Sequence, residues 1–285
     1  MKGEFAGKVF FVGAGPGDPG LLTIKAAKTL ATADIILTDR LVNQDIINEY
    51  ANPKAVIVAV GKQGGSMASK PQYETNTLLL KAAKRYNNVV RLKGGDVSIF
   101  SNILDELETV KAANIYYEII PGISAASGAA AYAGIPLTAR EHSTGVRILT
   151  YYQTAAISNE AWKDMARFED TLVFYMSGTA LHNIVYKLIE AGADANIPFA
   201  VIEQATTPHQ YVKLFTLEDF LISNYSTTFA SPALVIMGKV ANLHSQFAWL
   251  PNSANRTPYF TPLQNHTEVT ALLNSYQNQP DVSRR

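Results

Sequence analysis

The sequence lacks cysteine, and it has no excess of charge of either sign. Without cysteine, disulfide bonds, thiolate metal ligands and a cysteine nucleophile are excluded, and we predict no metal site. Lys plus Arg and Asp plus Glu both number 24, which gives a formal net charge of +0. Because no overall field attracts nucleic acid or anionic lipid, neither is an expected partner. An anionic ligand would have to be bound by local cations.

Apolar runs that direct secretion or span a membrane are also scarce. The first five residues lack the apolar core of a signal peptide. The uncharged stretch at 119–139 is long enough to cross a bilayer, but Pro121 and Pro136 lie near its ends and glycines interrupt it. We therefore predict a closely packed helix flanked by loops, in a soluble, cytoplasmic protein.

What the first half does contain is a regular alternation of short apolar segments and helical patterns. This alternation predicts an α/β domain with a mainly parallel sheet, covered by helices on both faces. Ligands of such sheets bind beyond the carboxyl ends of the strands. The predicted strands span 9–12, 35–37, 56–60, 89–92 and 116–120, and the predicted helices span 21–33, 73–86 and 103–113.

A turn-rich segment at 136–146 predicts a domain boundary. It divides the chain into an N-terminal α/β domain at 1–140, a C-terminal α/β domain at 141–245 with a mixed sheet, and a polar tail at 246–285. We expect the tail to be solvated or to dock against the body or a partner subunit, with one helical pattern at 269–276. In the second half, strands are predicted at 147–151, 171–175, 199–202 and 234–237, with a helix at 182–190 that Gly192 closes.

Two glycine loops follow predicted strands, at 13–18 and 94–96. Adjacent glycines let a ligand approach the main chain, and the Asp96 carboxylate can accept from an ammonium or a ribose hydroxyl, or bind a cation. A plain turn is the simpler interpretation of each loop alone.

Three function classes fit these loops. Dinucleotide binding is disfavoured, because Asp18 takes the place of the third glycine and Pro16 removes an amide donor for phosphate. S-adenosylmethionine carries no phosphate, and its cationic groups tolerate carboxylates. A scaffold that binds a ligand or partner without catalysis stays open.

Eight motifs, in order over about residues 7–245, resemble the tetrapyrrole methylases, and most closely their uroporphyrinogen-III C-methyltransferase branch. They are Val-Gly-Ala-Gly-Pro-Gly-Asp-Pro at 12–19, Asp-Arg-Leu-Val at 39–42, Val-Gly-Lys at 60–62, Arg-Leu-Lys-Gly-Gly-Asp at 91–96, Pro-Gly-Ile-Ser-Ala at 121–125, Tyr-Ala-Gly-Ile-Pro-Leu-Thr at 132–138, Val-Phe-Tyr-Met at 173–176 and Ser-Pro-Ala-Leu at 231–234.

The resemblance implies a two-domain tetrapyrrole methylase-like fold, S-adenosylmethionine as the cofactor and a homodimer. The implied reaction is methylation of carbons 2 and 7 of uroporphyrinogen III, which gives precorrin-2 for sirohaem or cobalamin. Asp39 matches the proton acceptor and Lys62 the proton donor. The residues that match cofactor-binding positions are Pro16, Gly94, Gly95, Asp96, Ile99, Ser124, Ala125, Met176 and Ala205. The alternative for Asp39 is a helix or turn cap. Without the resemblance, core packing would be the favoured interpretation of Met176.

The substrate carries eight carboxylates, so cations are expected around it. The candidates are Arg40, Lys62, Arg140 and Arg147, each of which could equally be a surface charge. Asn102 and Asp105 also match substrate-binding positions.

This chain departs from the family after Asp96, where Ser-Asn-Ile-Leu at 101–104 replaces Gly-Arg-Gly-Gly. Asn102 cannot supply the fixed charge of that arginine, and Ile103 and Leu104 are expected to extend the next helix. The loop after Lys62 differs as well. The departure keeps two alternatives open: a diverged methylase with another acceptor, and a homologue that binds the cofactor without catalysis.

Overall fold

The computed structural model describes residues 7–60, 72–151, 157–167, 169–178, 180–223 and 229–260 of the 285-residue chain. Lys62, its loop and the helical pattern at 269–276 lie outside the described residues. Within the described ranges, no helix has the length and apolar character needed to cross a membrane.

The first sheet is parallel throughout, as predicted. Its strands are short and mostly apolar, which is typical of strands buried on both faces. They run in the order β3-β2-β4-β1-β5, so the chain crosses over between neighbours. The strands are β1 (Lys8–Gly13), β2 (Ile35–Thr38), β3 (Val56–Ala59), β4 (Asn88–Lys93) and β5 (Tyr117–Ile120).

Helices cover both faces of this sheet and form two apolar clusters. Phe11 and Val89 pack with Leu79 and Val110 on one face, while Val12 and Val90 pack on the other. The helices are α1 (Ile24–Leu30), α2 (Gln44–Tyr50), α3 (Gln72–Arg85) and α4 (Ile103–Ala112).

Of the four helices beside this first sheet, one is shorter than predicted and one was not predicted. The pattern at 21–33 contains only α1, because Pro19–Leu21 forms a separate 3-10 turn and the Thr23 side chain caps α1 by accepting from Ala26 N. Helix α2 was missed. It begins after Asn43, whose side chain accepts from Asp45 N.

The second sheet is mixed, as predicted, in the order β6-β7-β10-β8-β9. Strands β6 and β7 pair in parallel and the other pairs are antiparallel. Strand β9 was not predicted. The strands are β6 (Val146–Thr150), β7 (Thr171–Tyr175), β8 (Pro198–Glu203), β9 (Tyr211–Thr216) and β10 (Ala233–Met237).

Five helices accompany this sheet. The predicted helix within 119–139 is α5, which has eight residues, and its alanines pack against Val173, Ala200 and Ile236. Gly192 follows α7 at φ +96° and closes that helix, as predicted. The helices are α5 (Ala125–Tyr132), α6 (Asn159–Ala166), α7 (Leu181–Glu190), α8 (Leu217–Ile222) and α9 (His244–Phe247).

Contacts divide the chain into two compact units. The first contains Pro19–Ile123 and the strand that leads to Gly15, and the second contains Pro16–Asp18 and Ser124–Tyr259. The sequence-based boundary between residues 140 and 141 stays a prediction.

Candidate functional site

Three loops at the carboxyl edge of the first sheet pack against one another through glycines. Gly15 and Gly95 both have positive φ, and they exchange two backbone hydrogen bonds of 3.1 and 2.7 Å. A Cβ added to Gly122 would lie 2.4 Å from Gly95 O, and one added to Gly13 would lie 2.6 Å from Gly122 N. The need for glycine at 13 and 122 therefore comes from contact between loops.

Asp96 ties two of these loops together. Its Oδ2 accepts from Gly122 N at 2.9 Å, and its Oδ1 accepts from Ser98 N at 2.8 Å and from the Ser98 hydroxyl. A carboxylate has further acceptor sites, so a ligand contact for Asp96 stays a prediction. Gly94 packs beneath the loop after β2, because a Cβ there would lie 2.8 Å from Leu41 O.

Asp39 follows β2 at this same edge, and it is the accessible end of a network of buried charges. Its Oδ1 accepts from Arg91 Nη2 at 2.6 Å, and the Asp39 side chain is 31% exposed. Arg91 Nε donates to Glu106 Oε1 at 3.0 Å, and Lys93 Nζ donates to Glu106 Oε2 at 2.9 Å. The Arg91, Lys93 and Glu106 side chains are 5%, 3% and 1% exposed.

The secondary structure explains how these charges meet. Arg91 and Lys93 are two residues apart on β4, so they point to the same face of the sheet. Glu106 is one turn before the buried Val110 on α4, so it faces the sheet as well. Burial disfavours the charged form of Arg91, but the Asp39 and Glu106 carboxylates outweigh this effect and raise its pKa.

For Lys93 the balance has the opposite sign. Burial and the neighbouring Arg91 charge lower its pKa below the usual value, although Asp39 and Glu106 act against this shift.

The four residues predicted to bind substrate are exposed: Arg40, Asn102, Asp105 and Arg140. Asn102 precedes α4 with φ 53° and ψ 36°, and its side chain makes no capping hydrogen bond. As expected, α4 begins directly at Ile103, and Leu104 is 64% exposed. Arg147 was also predicted to be a substrate-binding cation, and its guanidinium pairs with Asp164.

In the second unit, several of the residues predicted to bind the cofactor lie together. Pro16 packs on Gly128 of α5, where an added Cβ would lie 2.5 Å from Pro16 Cγ. Ser124 is the N-cap of α5 and accepts from Ser127 N at 3.1 Å, and Ala125 is the first residue of that helix.

Met176 and Ala205 follow β7 and β8. Both strands run antiparallel to β10, so their carboxyl ends lie at the same edge of the sheet. Tyr175 connects this edge to α5, because its hydroxyl accepts from Ala126 N at 2.7 Å. Met176 is 44% exposed.

Backbone strain is concentrated in these strand-end loops. Among the described residues, seven non-glycine residues have positive φ, a conformation that costs energy and is common at functional sites. Five of the seven follow β4, β7 or β8: Phe100, Asn102, Met176, Gln204 and Thr206.

Asp18 has a partner that the sequence did not reveal. The Tyr132 hydroxyl donates to Asp18 Oδ2, and Asp18 N donates to Thr206 Oγ1 at 3.2 Å. Burial, with the Asp18 carboxylate beside it, raises the pKa of Tyr132 to about 12. Asp18 thus fixes the Pro16–Asp18 loop on the second unit.

Residues 246–259 of the tail belong to the second unit and pack against it, which agrees with the alternative that the tail docks on the body. The Asn252 side chain binds both N and O of Val212 on β9 and covers part of this edge strand. Gln204, next to Ala205, donates to Thr257 O at 3.1 Å and accepts from Tyr259 N at 2.6 Å.

Replacing Arg256 with alanine is expected to destabilise the protein. Arg256 pairs with Glu203, whose side chain is 3% exposed, and its guanidinium lies 3.8 Å from the centre of the Tyr211 ring. Arg256→Ala leaves a buried carboxylate without its partner, which costs about 1–3 kcal/mol of unfolding free energy. Urea unfolding measures this loss. Lys187→Ala, which breaks an exposed ion pair with Glu190, should leave the midpoint unchanged; an equal midpoint for Arg256→Ala would contradict the prediction.

The sequence analysis gave no role in a site to Arg91, Lys93, Glu106 or Tyr132, although three of them lie in the motifs. The available signal was the pair of cations on a strand that is otherwise apolar, since buried cations need carboxylate partners. Lys62, the predicted proton donor, lies outside the described residues.

Strained, glycine-rich loops at the carboxyl ends of strands are typical of the ligand-binding sites of α/β proteins. Residues 8–221 match the family described as Tetrapyrrole (Corrin/Porphyrin) Methylases, and the chain belongs to this family. The match confirms the family, the fold class and the methyltransferase class that were predicted from the sequence.

Individual relatives point the same way. The chain is 41% identical over 277 residues to a siroheme synthase of Psychrobacter cryohalolentis. The matched region covers 97% of this chain and 53% of the relative. The chain thus spans about half the length of that curated relative.

Among solved structures, the chain is similar to the native form of uroporphyrin III C-methyl transferase from Thermus thermophilus, with 32% identity, a TM-score of 0.70, and coverage of 83% of this chain and 100% of that one. The same enzyme complexed with S-adenyl homocysteine gives 32% identity, a TM-score of 0.69, and coverage of 82% and 93%.

Proposed function

We propose that the protein transfers methyl groups from S-adenosylmethionine to carbons 2 and 7 of uroporphyrinogen III and so forms precorrin-2 for sirohaem or cobalamin. The observation that carries the proposal is Asp39. In a chain of the tetrapyrrole methylase family, this carboxylate is accessible, is held by a buried arginine, and lies at the same sheet edge as the loop that contains Gly94.

The charges of the glycine loops fit S-adenosylmethionine better than a nucleotide phosphate. Residues 13–18 and 94–99 contain the carboxylates of Asp18 and Asp96 and no lysine or arginine. Such loops suit a ligand with a sulfonium and an ammonium group. Pro16 offers no amide donor. We propose that the cofactor is bound by the residues that match the family's cofactor-binding positions: Pro16, Gly94, Gly95, Asp96, Ile99, Ser124, Ala125, Met176 and Ala205.

When bound, the cofactor supplies an electrophilic methyl group: a pyrrole carbon forms the new carbon–carbon bond while the carbon–sulfur bond breaks and its electron pair goes to sulfur. The tetrapyrrole then carries the positive charge, and it becomes neutral by losing a proton. Asp39 is the proposed acceptor of that proton. Lys62 is the proposed proton donor, as the family resemblance implies. Arg40 and Arg140 are the proposed contacts of the substrate carboxylates, with Asn102 and Asp105 beside α4.

The experiment is anaerobic incubation of the purified protein with S-adenosylmethionine and uroporphyrinogen III, with product masses as the readout. Products that gain one and then two methyl groups support the proposal. Cofactor binding in the same sample without any gain in product mass would contradict it.

A second candidate, a methylase with a different acceptor, is favoured by Asn102, since the residue that replaces the family's arginine there is uncharged. If uroporphyrinogen III is the substrate, Asn102→Arg changes kcat/KM by less than about ten-fold. Asn102→Gln is the control, because it shares the backbone strain of a longer side chain at φ 53° without adding charge. A gain of about 100-fold or more for Asn102→Arg alone would favour the second candidate.

A homodimer, which the family resemblance implies, and a cytoplasmic location, which the sequence analysis predicts, are also part of the proposal. Sedimentation of the purified protein at several concentrations tests the homodimer. A monomer at every concentration would contradict it.

A further inference from the structure

The buried charges between β4 and α4 do more than connect a helix to a sheet. Replacing a buried ion pair with apolar side chains often leaves stability unchanged or raises it, so stability alone does not account for a cluster of two cations and two carboxylates. Three of the four groups, on Arg91, Lys93 and Glu106, are almost fully buried, and only Asp39 reaches solvent.

The Arg91 guanidinium is fixed at each of its nitrogens. Nε donates to Glu106, Nη1 donates to the backbone oxygens of Leu37 and Leu92 at 3.3 and 3.2 Å, and Nη2 donates to Asp39. Because the guanidinium is planar, fixing Nε and Nη1 also fixes the direction in which Nη2 points.

Glu106, on α4, holds the Arg91 guanidinium in place. Its two oxygens bind Arg91 and Lys93 separately, and Gln72 donates to Oε1 at 3.4 Å. Glu106 itself is 0% exposed, so it does not contact a ligand in solution. Any effect that it has on the reaction is therefore indirect, and the hydrogen bonds of Arg91 connect it directly to Asp39.

We propose that Glu106 is a positioning residue for methyl transfer, which acts through Arg91 to fix the Asp39 carboxylate. The inference rests on the proposed function, in which Asp39 accepts a proton. A carboxylate that is held in one orientation is already placed to accept the departing proton. A displacement of a catalytic group by about 1 Å can lower the rate about 100-fold.

The first test is Glu106→Gln in the full chain. The amide keeps the shape of the side chain, but it cannot accept from two cations as a carboxylate does. We expect kcat to fall about 100-fold, while the dissociation constant for S-adenosylmethionine, from calorimetry, stays within about two-fold. Glu106→Asp should recover part of the lost kcat. Glu190→Gln, which breaks an exposed ion pair with Lys187, is the matched control and should keep the wild-type kcat.

Because Glu106→Gln leaves two buried cations with one carboxylate, a second variant keeps the test decisive if the first does not fold. The double variant Lys93→Met, Glu106→Gln removes one charge of each sign and preserves the Arg91–Asp39 pair. It should fold and still lose at least about ten-fold in kcat. A folded variant, single or double, with kcat within about two-fold of wild type would overturn the role of Glu106.

A wild-type protein that transfers no methyl group to uroporphyrinogen III overturns the proposed function, and the role of Glu106 with it. An active wild type whose Glu106 variants are equally active overturns only the positioning role.

Discussion

Asp39→Asn is expected to lower kcat for methylation of uroporphyrinogen III about 100- to 10,000-fold. The asparagine oxygen can still accept from Arg91 Nη2, which lies 2.6 Å from Asp39 Oδ1, so the loop keeps its main contact. An amide cannot take up the proton that leaves the tetrapyrrole, however. The variant therefore removes the proton acceptor while it leaves the surrounding structure in place.

The measurement is steady-state methyl transfer, together with calorimetry of S-adenosylmethionine binding. Binding should stay within about two-fold of wild type, because Asp39 has a role in chemistry and not in cofactor affinity. Asp219→Asn, on the exposed first turn of α8, is the control and should keep full activity. Wild-type turnover by Asp39→Asn would show that another group accepts the proton.

Gly122→Ala is expected to damage both the stability and the activity of the protein. The added Cβ would lie 2.4 Å from Gly95 O and 2.8 Å from the carbonyl carbon of Gly13, so the three strand-end loops must move apart. Overpacking of this kind costs about 1–3 kcal/mol. Gly122 N also donates to Asp96, so the displacement reaches the proposed cofactor loop, and we expect methyl transfer to fall about 100-fold.

Gly178→Ala is the matched control for this variant. A Cβ at Gly178 would lie 3.9 Å from Ala233 Cβ, which is an ordinary contact. We therefore expect a free energy of unfolding within about 0.5 kcal/mol of wild type. Urea unfolding and methyl transfer are measured on both variants. A Gly122→Ala protein that is as stable and as active as wild type would contradict the loop packing described above.

The sequence predicted the first sheet well because its strands are buried on both faces. Segments such as Ile35 to Leu37 are runs of apolar residues between turns, and this signal is local. Strand β9 gave a weaker signal, since Lys213 interrupts it and it lies at the edge of its sheet. Its edge is covered in part by Asn252, about 40 residues later in the chain, and no local pattern reports such a contact.

The candidate site could be predicted only in outline. The motifs led to Asp39 and to the glycine loops, but they did not show that Gly122 and Gly95 pack against each other, or that Asp96 already binds two backbone amides. The contact between Glu106 and Arg91 depends on how α4 lies on β4, which is tertiary structure. The sequence pattern gave Glu106 only as one of several acids in the first turns of a helix.

Methyl transfer to carbons of uroporphyrinogen III is tested most directly by a single-turnover reaction. The reaction uses S-adenosylmethionine labelled with ¹³C in the methyl group and is run anaerobically with uroporphyrinogen III. Carbon NMR of the product identifies the carbon that receives each methyl group. We predict labelled methyl groups at carbons 2 and 7 for wild type, and their loss in Asp39→Asn with cofactor binding retained. Label on a nitrogen or oxygen atom, or no transfer by a protein that binds the cofactor, would contradict it.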